Sequence, residues 1–225
     1  MSPASVFAFG LGLRAPPRVK FHWMPAIYDR LAKYYDRAFA PFEQRYLSRL
    51  RAETLSLIPE DAVILEIGAG TGANFAFYPP ARQRTASEYS IKMLEIAKQR
   101  SNLIPLVQAD AQHLPFPANH FDAAFATLVF CSIPSQQAAF AELIRTLKPG
   151  GRVVLLEHVR PSGLLGYLFD ILNVLTVALI DDHFNRETAR AAEIAGLRII
   201  EVRQKFFGIL NLILCETRKG PPPSN

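Results

Sequence analysis

Apolar residues recur at three- and four-residue spacing from Ile27 through Leu31, Tyr34, Tyr35 and Ala38, and again after Pro41 at Tyr46, Leu47, Leu50, Leu55 and Leu57. This period predicts two helices ahead of the first strand. Further along, short continuous apolar runs alternate with amphipathic stretches. Ala62 to Ile67, Arg84 to Glu88, Pro105 to Ala109, Phe121 to Thr127 and Arg152 to His158 read as strands. Between them, Ala73 to Tyr78, Ser90 to Arg100 and Ser135 to Leu147 read as helices, the last stopped by Lys148-Pro149-Gly150-Gly151. Asn185 to Ala195 reads as a further helix ended by Gly196. Leu197 to Gln204 and Leu212 to Thr217 follow as two last strands, joined by the apolar bend Phe206 to Leu210. Strand-helix alternation of this kind predicts a doubly wound α/β sheet with its ligand at the carboxyl ends of the strands.

One segment breaks the alternation. Gly163 to Ile180 is nearly as long as a membrane span, but Asp170 and Asn173 interrupt it. On a helix these two residues share a face with Gly166, which leaves a broad apolar surface suited to packing on the sheet or to a lipophilic substrate or membrane. The 225 residues suffice for one substantial core, so a single domain is expected over residues 25–219, with residues 1–24 a loose extension and 220–225 a disordered tail. Half the residues are hydrophobic and a fifth charged, which excludes a disordered chain. The net charge of +5 comes from scattered basic residues; no nucleic-acid motif accompanies it, and an anionic partner or membrane surface is the most it favours. Cys131 and Cys215 lie in apolar segments without metal or redox spacing, so both read as reduced packing residues of a cytoplasmic protein, and no metal site is expected.

The candidate chemistry lies in Val63 to Phe75, VILEIGAGTGANF, where a buried strand runs into glycines. Gly68, Gly70 and Ala73 satisfy the dinucleotide fingerprint, and Gly68, Gly70 and Gly72 satisfy the E-x-G-x-G-x-G pattern of S-adenosylmethionine sites. Glu88, twenty residues beyond Gly68 at the end of the second strand, can accept from two ribose hydroxyls, a group both ligands carry. A dinucleotide additionally needs a helix N-terminus to hold its pyrophosphate. The glycines by themselves leave both readings open.

ILEIGAGTGANF, ASEYSIKMLEIAKQR, ADAQHLPFPANHFDAAFATLVF and LIRTLKPGGRVVLLEHV, in this order, resemble the class I S-adenosylmethionine-dependent methyltransferases of the small-molecule and lipid branch, from about Tyr28 to Thr217. The resemblance implies a Rossmann-like seven-stranded sheet with an antiparallel last strand, N-terminal helices, and S-adenosyl-L-methionine as cofactor. It implies that Glu66 favours the cationic methionine end and that Gly68, Ala69, Gly70 and Gly72 pack against the amino-acid part. Glu88 would hold the ribose, Tyr89 and Met93 would surround the adenine, Asp110 with Ala111 would meet its edge, and Thr127 would line the floor.

Methyl transfer is an in-line displacement on an activated electrophile, so alignment matters more than acid-base chemistry, and a base is needed only for a protonated acceptor. The candidates for that role are Tyr35, His158, Asp182 and His183. For the acceptor, quinone C-methyltransferases share the D-A-x-x-L-P-F-P block but usually carry an Arg-Asn pair where this chain reads Leu128 to Ile133. The LVFCSI segment and LLEHV look more like bacterial phospholipid N-methyltransferases and membrane-associated thiol methyltransferases. The expected acceptor is therefore lipophilic: first the amine of phosphatidylethanolamine or a related phospholipid, then a thiol or quinone precursor, with peripheral membrane contact through Gly163–Ile180 and the Phe206–Leu210 bend and no nucleic-acid partner. A nucleotide-binding protein without methyl transfer is the reading from another class.

Overall fold

The computed structural model describes residues 24–158 and 187–218. Its strands are β1 (Val63–Ile67), β2 (Gln83–Glu88), β3 (Leu106–Gln108), β4 (Phe121–Thr127), β5 (Leu147–His158), β6 (Arg198–Lys205) and β7 (Leu210–Glu216). They form one seven-stranded sheet in the order β3-β2-β1-β4-β5-β7-β6. Neighbours are parallel except at β7, which runs against both β5 and β6. The order reverses between β1 and β4, so the carboxyl ends of these two strands diverge and leave the crevice in which open α/β sheets bind ligands.

Both faces of the sheet are covered, which is why its strands read as unbroken apolar runs. Val63, Leu65, Ile67, Val153 and Leu155 face Ala139, Phe140 and Leu143 of helix α4 (Gln136–Thr146). Ile64, Phe125, Val154, Leu156 and Leu212 face Leu47 and Leu55, which come from a helical path leading into the sheet. That path is α1 (Met24–Phe42), a π turn (Glu43–Leu47) and α2 (Ser48–Ser56). The two expected N-terminal helices are thus joined without a loop. Pro41 lies inside α1 and has no N–H for an earlier carbonyl, and the path widens into the π turn immediately after it. Helix α3 (Ile91–Arg100), capped by Ser90 Oγ accepting from Met93 N, packs Leu94 and Ala97 on Ala86 and Leu106. Helix α5 (Thr188–Ile194) precedes β6.

The segment expected as a helix over Ala73–Tyr78 is only a 3₁₀ turn at Phe75–Phe77. Pro79 and Pro80 follow at once and allow no further turn. The strand expected from Arg152 begins instead at Leu147, which pairs with Phe121 before a bulge; Thr217 bridges the Lys148–Gly151 bend by donating to Lys148 O (2.8 Å) and accepting from Gly151 N (2.9 Å). The bend between β6 and β7 is a 3₁₀ turn, Phe206–Gly208. Phe206 does not project from it as a bare mouth residue. Its ring packs edge-on against Phe42 and Tyr46, with centroids at 5.7 and 5.1 Å. The side chain of Phe207 and the whole of Gly163–Ile180 lie outside the described residues, as do the expected extension up to residue 23 and the tail. Among the described residues no helix is long and apolar enough to cross a membrane, and no cluster of three or more His, Cys, Asp or Glu is placed to hold a metal.

Helix α1 is fastened across the carboxyl edge of the sheet by two acids. Asp29 accepts from Ser90 Oγ (2.5 Å) and Lys92 N (3.3 Å); Asp36 accepts from Thr71 Oγ1 (2.7 Å) and pairs with Arg100. Hydrogen bonds to charged groups contribute about 1.5–3 kcal/mol each, so Asp29→Ala/Asp36→Ala is expected to free α1 while the sheet stays folded. Hydrogen exchange should then accelerate in residues 24–42 and remain slow in β1, β4 and β5. Unchanged exchange in α1 would mean that its apolar packing alone holds it.

Candidate functional site

The crevice is built around the turn after β1. Gly68, Gly70 and Gly72 all have positive φ (66°, 55° and 83°), a region that side chains rarely adopt. They differ in surroundings. A Cβ at Gly68 would meet the Val129 methyls at 2.5 Å, and one at Gly72 would meet the Phe75 ring at 2.5 Å, whereas a Cβ at Gly70 would meet nothing within 4 Å. Gly68 and Gly72 therefore serve close packing, and Gly70 borders open space. Ala69 is buried, its N–H bonded to Ser87 O (2.9 Å).

Glu88 ends β2 beside that open space. Its carboxylate accepts from Gly70 N (2.9 Å) and Ser90 N (2.8 Å); burial raises its pKa, and these backbone donors oppose the rise. The Tyr89 N–H also lowers it, and the acceptor capacity that remains on the carboxylate is available to a ligand hydroxyl. Tyr89 O accepts from Gln108 Nε2 (3.1 Å), and Ala109 N donates to Glu88 O (3.0 Å), which brings the end of β3 against the end of β2. Asp110 and Ala111 come next, the Asp110 carboxylate accepting from Gln112 N (2.8 Å) and Nε2 (3.0 Å). Met93 is buried in the first turn of α3. The structure thus gathers Gly70, Glu88, Tyr89, Asp110 and Ala111 along the carboxyl ends of β1, β2 and β3. The open space at Gly70 and the carboxylate beside it suit a ligand that carries hydroxyl groups.

Glu66 does not open into this space. It is fully buried, accepting from Asn74 Nδ2 (2.5 Å) and from Tyr78 Oη. Burial pushes its pKa up to about 7, against the lowering influence of Asn74, Tyr78 and Arg51. It anchors the turn from below, because an acid at this position of a strand covered on both faces has no water to reach. Thr127 is also buried, and its Oγ1 accepts from Arg51 Nη1 (2.6 Å) and Asn74 Nδ2 (2.8 Å). Arg51 completes the network by donating to Asn74 Oδ1 (2.9 Å) and by a forked pair with Glu43 (2.8 and 3.1 Å). Sequence reasoning passed over Arg51, Asn74 and Tyr78. One signal was present: Arg51 falls at four-residue spacing between Leu47 and Leu55, a charge on the apolar face of its helix.

Of the expected catalytic residues, His158 ends β5 on the face that also carries Thr127 and Leu156, paired with Leu210 at the start of β7. Burial lowers its pKa to about 4, so the imidazole is neutral at pH 7. Tyr35 lies in α1, with its side chain outside the described residues; Asp182 and His183 lie outside them altogether. Cys131 is buried as a packing residue, and burial pushes Cys215 up to about 12.

Two outcomes follow from this geometry. Gly70→Val should fold and lose cofactor binding, while Gly68→Val should be destabilised by overpacking, typically about 1–3 kcal/mol; thermal melts with and without S-adenosylhomocysteine check both, and a Gly70→Val protein that still binds would remove the turn from the site. For Glu66, a folded pKa near 7 against 4.5 in water means that the unfolded chain releases its proton first as pH rises. Stability from this group is complete below pH 4.5 and declines up to pH 7, by about 3 kcal/mol at 1.36 kcal/mol per pKa unit. Glu66→Gln should lack that decline. Parallel stability curves for parent and variant between pH 4 and 8 would contradict it.

The geometry agrees with comparisons to known proteins. Residues 65–155 match the methyltransferase domain family. A demethylmenaquinone methyltransferase of Renibacterium salmoninarum is 31% identical over 61% of this chain and 59% of its own length. A ubiquinone/menaquinone biosynthesis C-methyltransferase of Pseudomonas putida is 35% identical over 45% of this chain and 44% of its own. The chain therefore spans about half the length of these relatives. Among solved structures, an S-adenosylmethionine-dependent methyltransferase from Thermotoga maritima superposes with a TM-score of 0.70 at 23% identity, covering 88% of this chain and 100% of that one, a likeness of fold. Residues 65–155 thus match a methyltransferase domain, and the sheet order and fold are similar to those of the S-adenosylmethionine-dependent methyltransferases.

Proposed function

We propose that the protein transfers the methyl group of S-adenosylmethionine to a ring carbon of a lipophilic quinone precursor. The observation that carries the cofactor half of this reading is the 3₁₀ turn at Phe75–Phe77. A pyrophosphate needs an α-helix N-terminus directly after the glycines, and here one short turn stands in its place. This disfavours the dinucleotide reading and, with it, a binding protein without methyl transfer. The acceptor half is supported by the relatives, both named for quinone methylation. They move the assignment away from the phospholipid amine that the LVFCSI and LLEHV segments suggested. The chain still lacks the Arg-Asn pair of the quinone enzymes. Leu128, at φ 60°, and the buried packing residues Phe130, Cys131 and Ile133 occupy that stretch, so no polar pair is offered to the acceptor there.

When bound, the cofactor supplies a methyl group on a sulfonium. The protein's part is to align the ring carbon, exclude water and let the ring proton leave. In the balanced reaction the ring carbon gains the methyl and loses its proton, the sulfonium becomes a neutral thioether, and the proton leaves to solvent. A neutral imidazole at His158 can accept a hydrogen bond from the acceptor's hydroxyl and raise the electron density of the ring. Its low pKa keeps it in that form at any working pH.

Incubation with labelled S-adenosylmethionine and a panel of a demethylmenaquinol, phosphatidylethanolamine and a small thiol tests the acceptor. Label on the quinol ring carbon is expected; label on the amine or the sulfur alone would overturn it. His158→Ala should lower kcat by about a hundredfold, the lower end of what a positioned proton acceptor contributes, and leave S-adenosylhomocysteine affinity unchanged. The parent's kcat should show no inflection from His158 above pH 5.5, and a His158-dependent inflection near pH 6.5 would contradict the assignment.

A further inference from the structure

A second feature lies beyond the cofactor crevice. The π turn and the start of α2 lie against the end of β6 and the 3₁₀ bend, and between them is a cleft of about 370 Å³ lined by Arg45, Tyr46, Arg49, Leu50, Lys205 and Phe206. Its lining holds three cations and no acid. Arg45 and Arg49, four residues apart, share one side of the helical path and are exposed. Among the described residues neither forms an ion pair. Lys205 Nζ is paired with Glu53 at 2.8 Å, and Arg203, which reaches Glu53 at 3.4 Å, has its own partner in Glu201 at 2.7 Å, so the cleft's positive charge comes from Arg45 and Arg49. Beneath the cations the surface is apolar and aromatic. Phe206 sits at φ 47°, a backbone state unfavourable for an aromatic residue, and its ring is packed on Tyr46 and Phe42. Such strain persists only where the surroundings over-determine it, and it concentrates at ligand sites.

We propose that this cleft binds the phosphate headgroup of an anionic membrane lipid, with Arg45 and Arg49 on the phosphate and Tyr46, Leu50 and Phe206 against the start of the acyl chains. Cations above an apolar floor match an anion joined to an apolar body, and a free phosphate would leave the aromatic floor unused. The position gives the site its purpose. The bend that carries Phe206 leads into Leu210, the partner of His158, so a bilayer held at this cleft lies near the end of β5. The net charge of +5 adds to the attraction. The headgroup site rests on its own lining and not on the acceptor assignment.

The test is co-sedimentation of the full chain with phosphatidylcholine vesicles containing 0% or 30% phosphatidylglycerol, at low and high salt, for the parent and for Arg45→Gln/Arg49→Gln. Both substituted residues are exposed, so the variant should keep its melting temperature and its affinity for S-adenosylhomocysteine. The parent should prefer phosphatidylglycerol vesicles and lose that preference as salt rises. The variant should bind them roughly twenty-five-fold more weakly, about fivefold for each charge. Equal binding of parent and variant to the anionic vesicles would overturn the site. Displacement of the parent from vesicles by millimolar glycerol phosphate, to the same extent as by anionic vesicles in excess, would overturn the membrane source and leave a soluble phosphate as the ligand. Methyl transfer to the quinol is read in detergent without anionic lipid, so failure there would leave the headgroup result standing.

Discussion

A buried carboxylate organises this molecule. Glu66 lies in β1, an interior strand of the sheet, with no exposure, and its ionised form is tolerated there only when hydrogen bonds and an opposite charge surround it. Asn74 and Tyr78 supply the hydrogen bonds, and Arg51 supplies the charge across Asn74 and Thr127. Removing one partner of such a set typically costs about 3–5 kcal/mol. The requirement draws Asn74 inward directly after the glycines, and the two prolines that follow leave room for a single 3₁₀ turn. The same network fixes Thr127 at the end of β4 and pins α2 to the sheet. The shape of the turn is thus a consequence of how a buried carboxyl group, only partly ionised at pH 7, is satisfied inside the protein.

That constraint also separates the two halves of the site. On the β2 and β3 side, Glu88 stands at the edge of the open space beside Gly70, held by backbone donors that leave its outer lone pairs available. On the β4 and β5 side, Thr127 is saturated by Arg51 and Asn74, and His158 stays neutral in its buried setting. One side suits hydroxyls and the other suits an apolar acceptor. Helix α1, tied down by Asp29 and Asp36, lies against the β1 turn and α3.

The sheet was legible because burial on both faces writes continuous apolar runs, and Phe121 to Thr127 appears with the same bounds in sequence and structure. Glu88 and Asp110 were legible because a strand end and a fixed spacing place them. Glu66 was identified as a residue of interest, but its orientation was not readable, since that depends on Tyr78 and Asn74 folding back beneath the strand. Arg51 pairs with residues 23 and 76 positions away, and no local pattern records such a bond. The stretch from Ala73 to Tyr78 has helical composition, yet the pull on Asn74 and the stop at Pro79 override it. Pro41 suggested a break between helices, and the backbone absorbs it as a π turn instead.

The most direct test of this account is calorimetric titration of the protein with S-adenosylhomocysteine and, separately, with NAD. A turn shaped by Glu66 and Asn74 and lacking a helix N-terminus should give saturable binding of S-adenosylhomocysteine and no heat of binding with NAD at the same concentrations. Saturable binding of NAD with none of S-adenosylhomocysteine would contradict it.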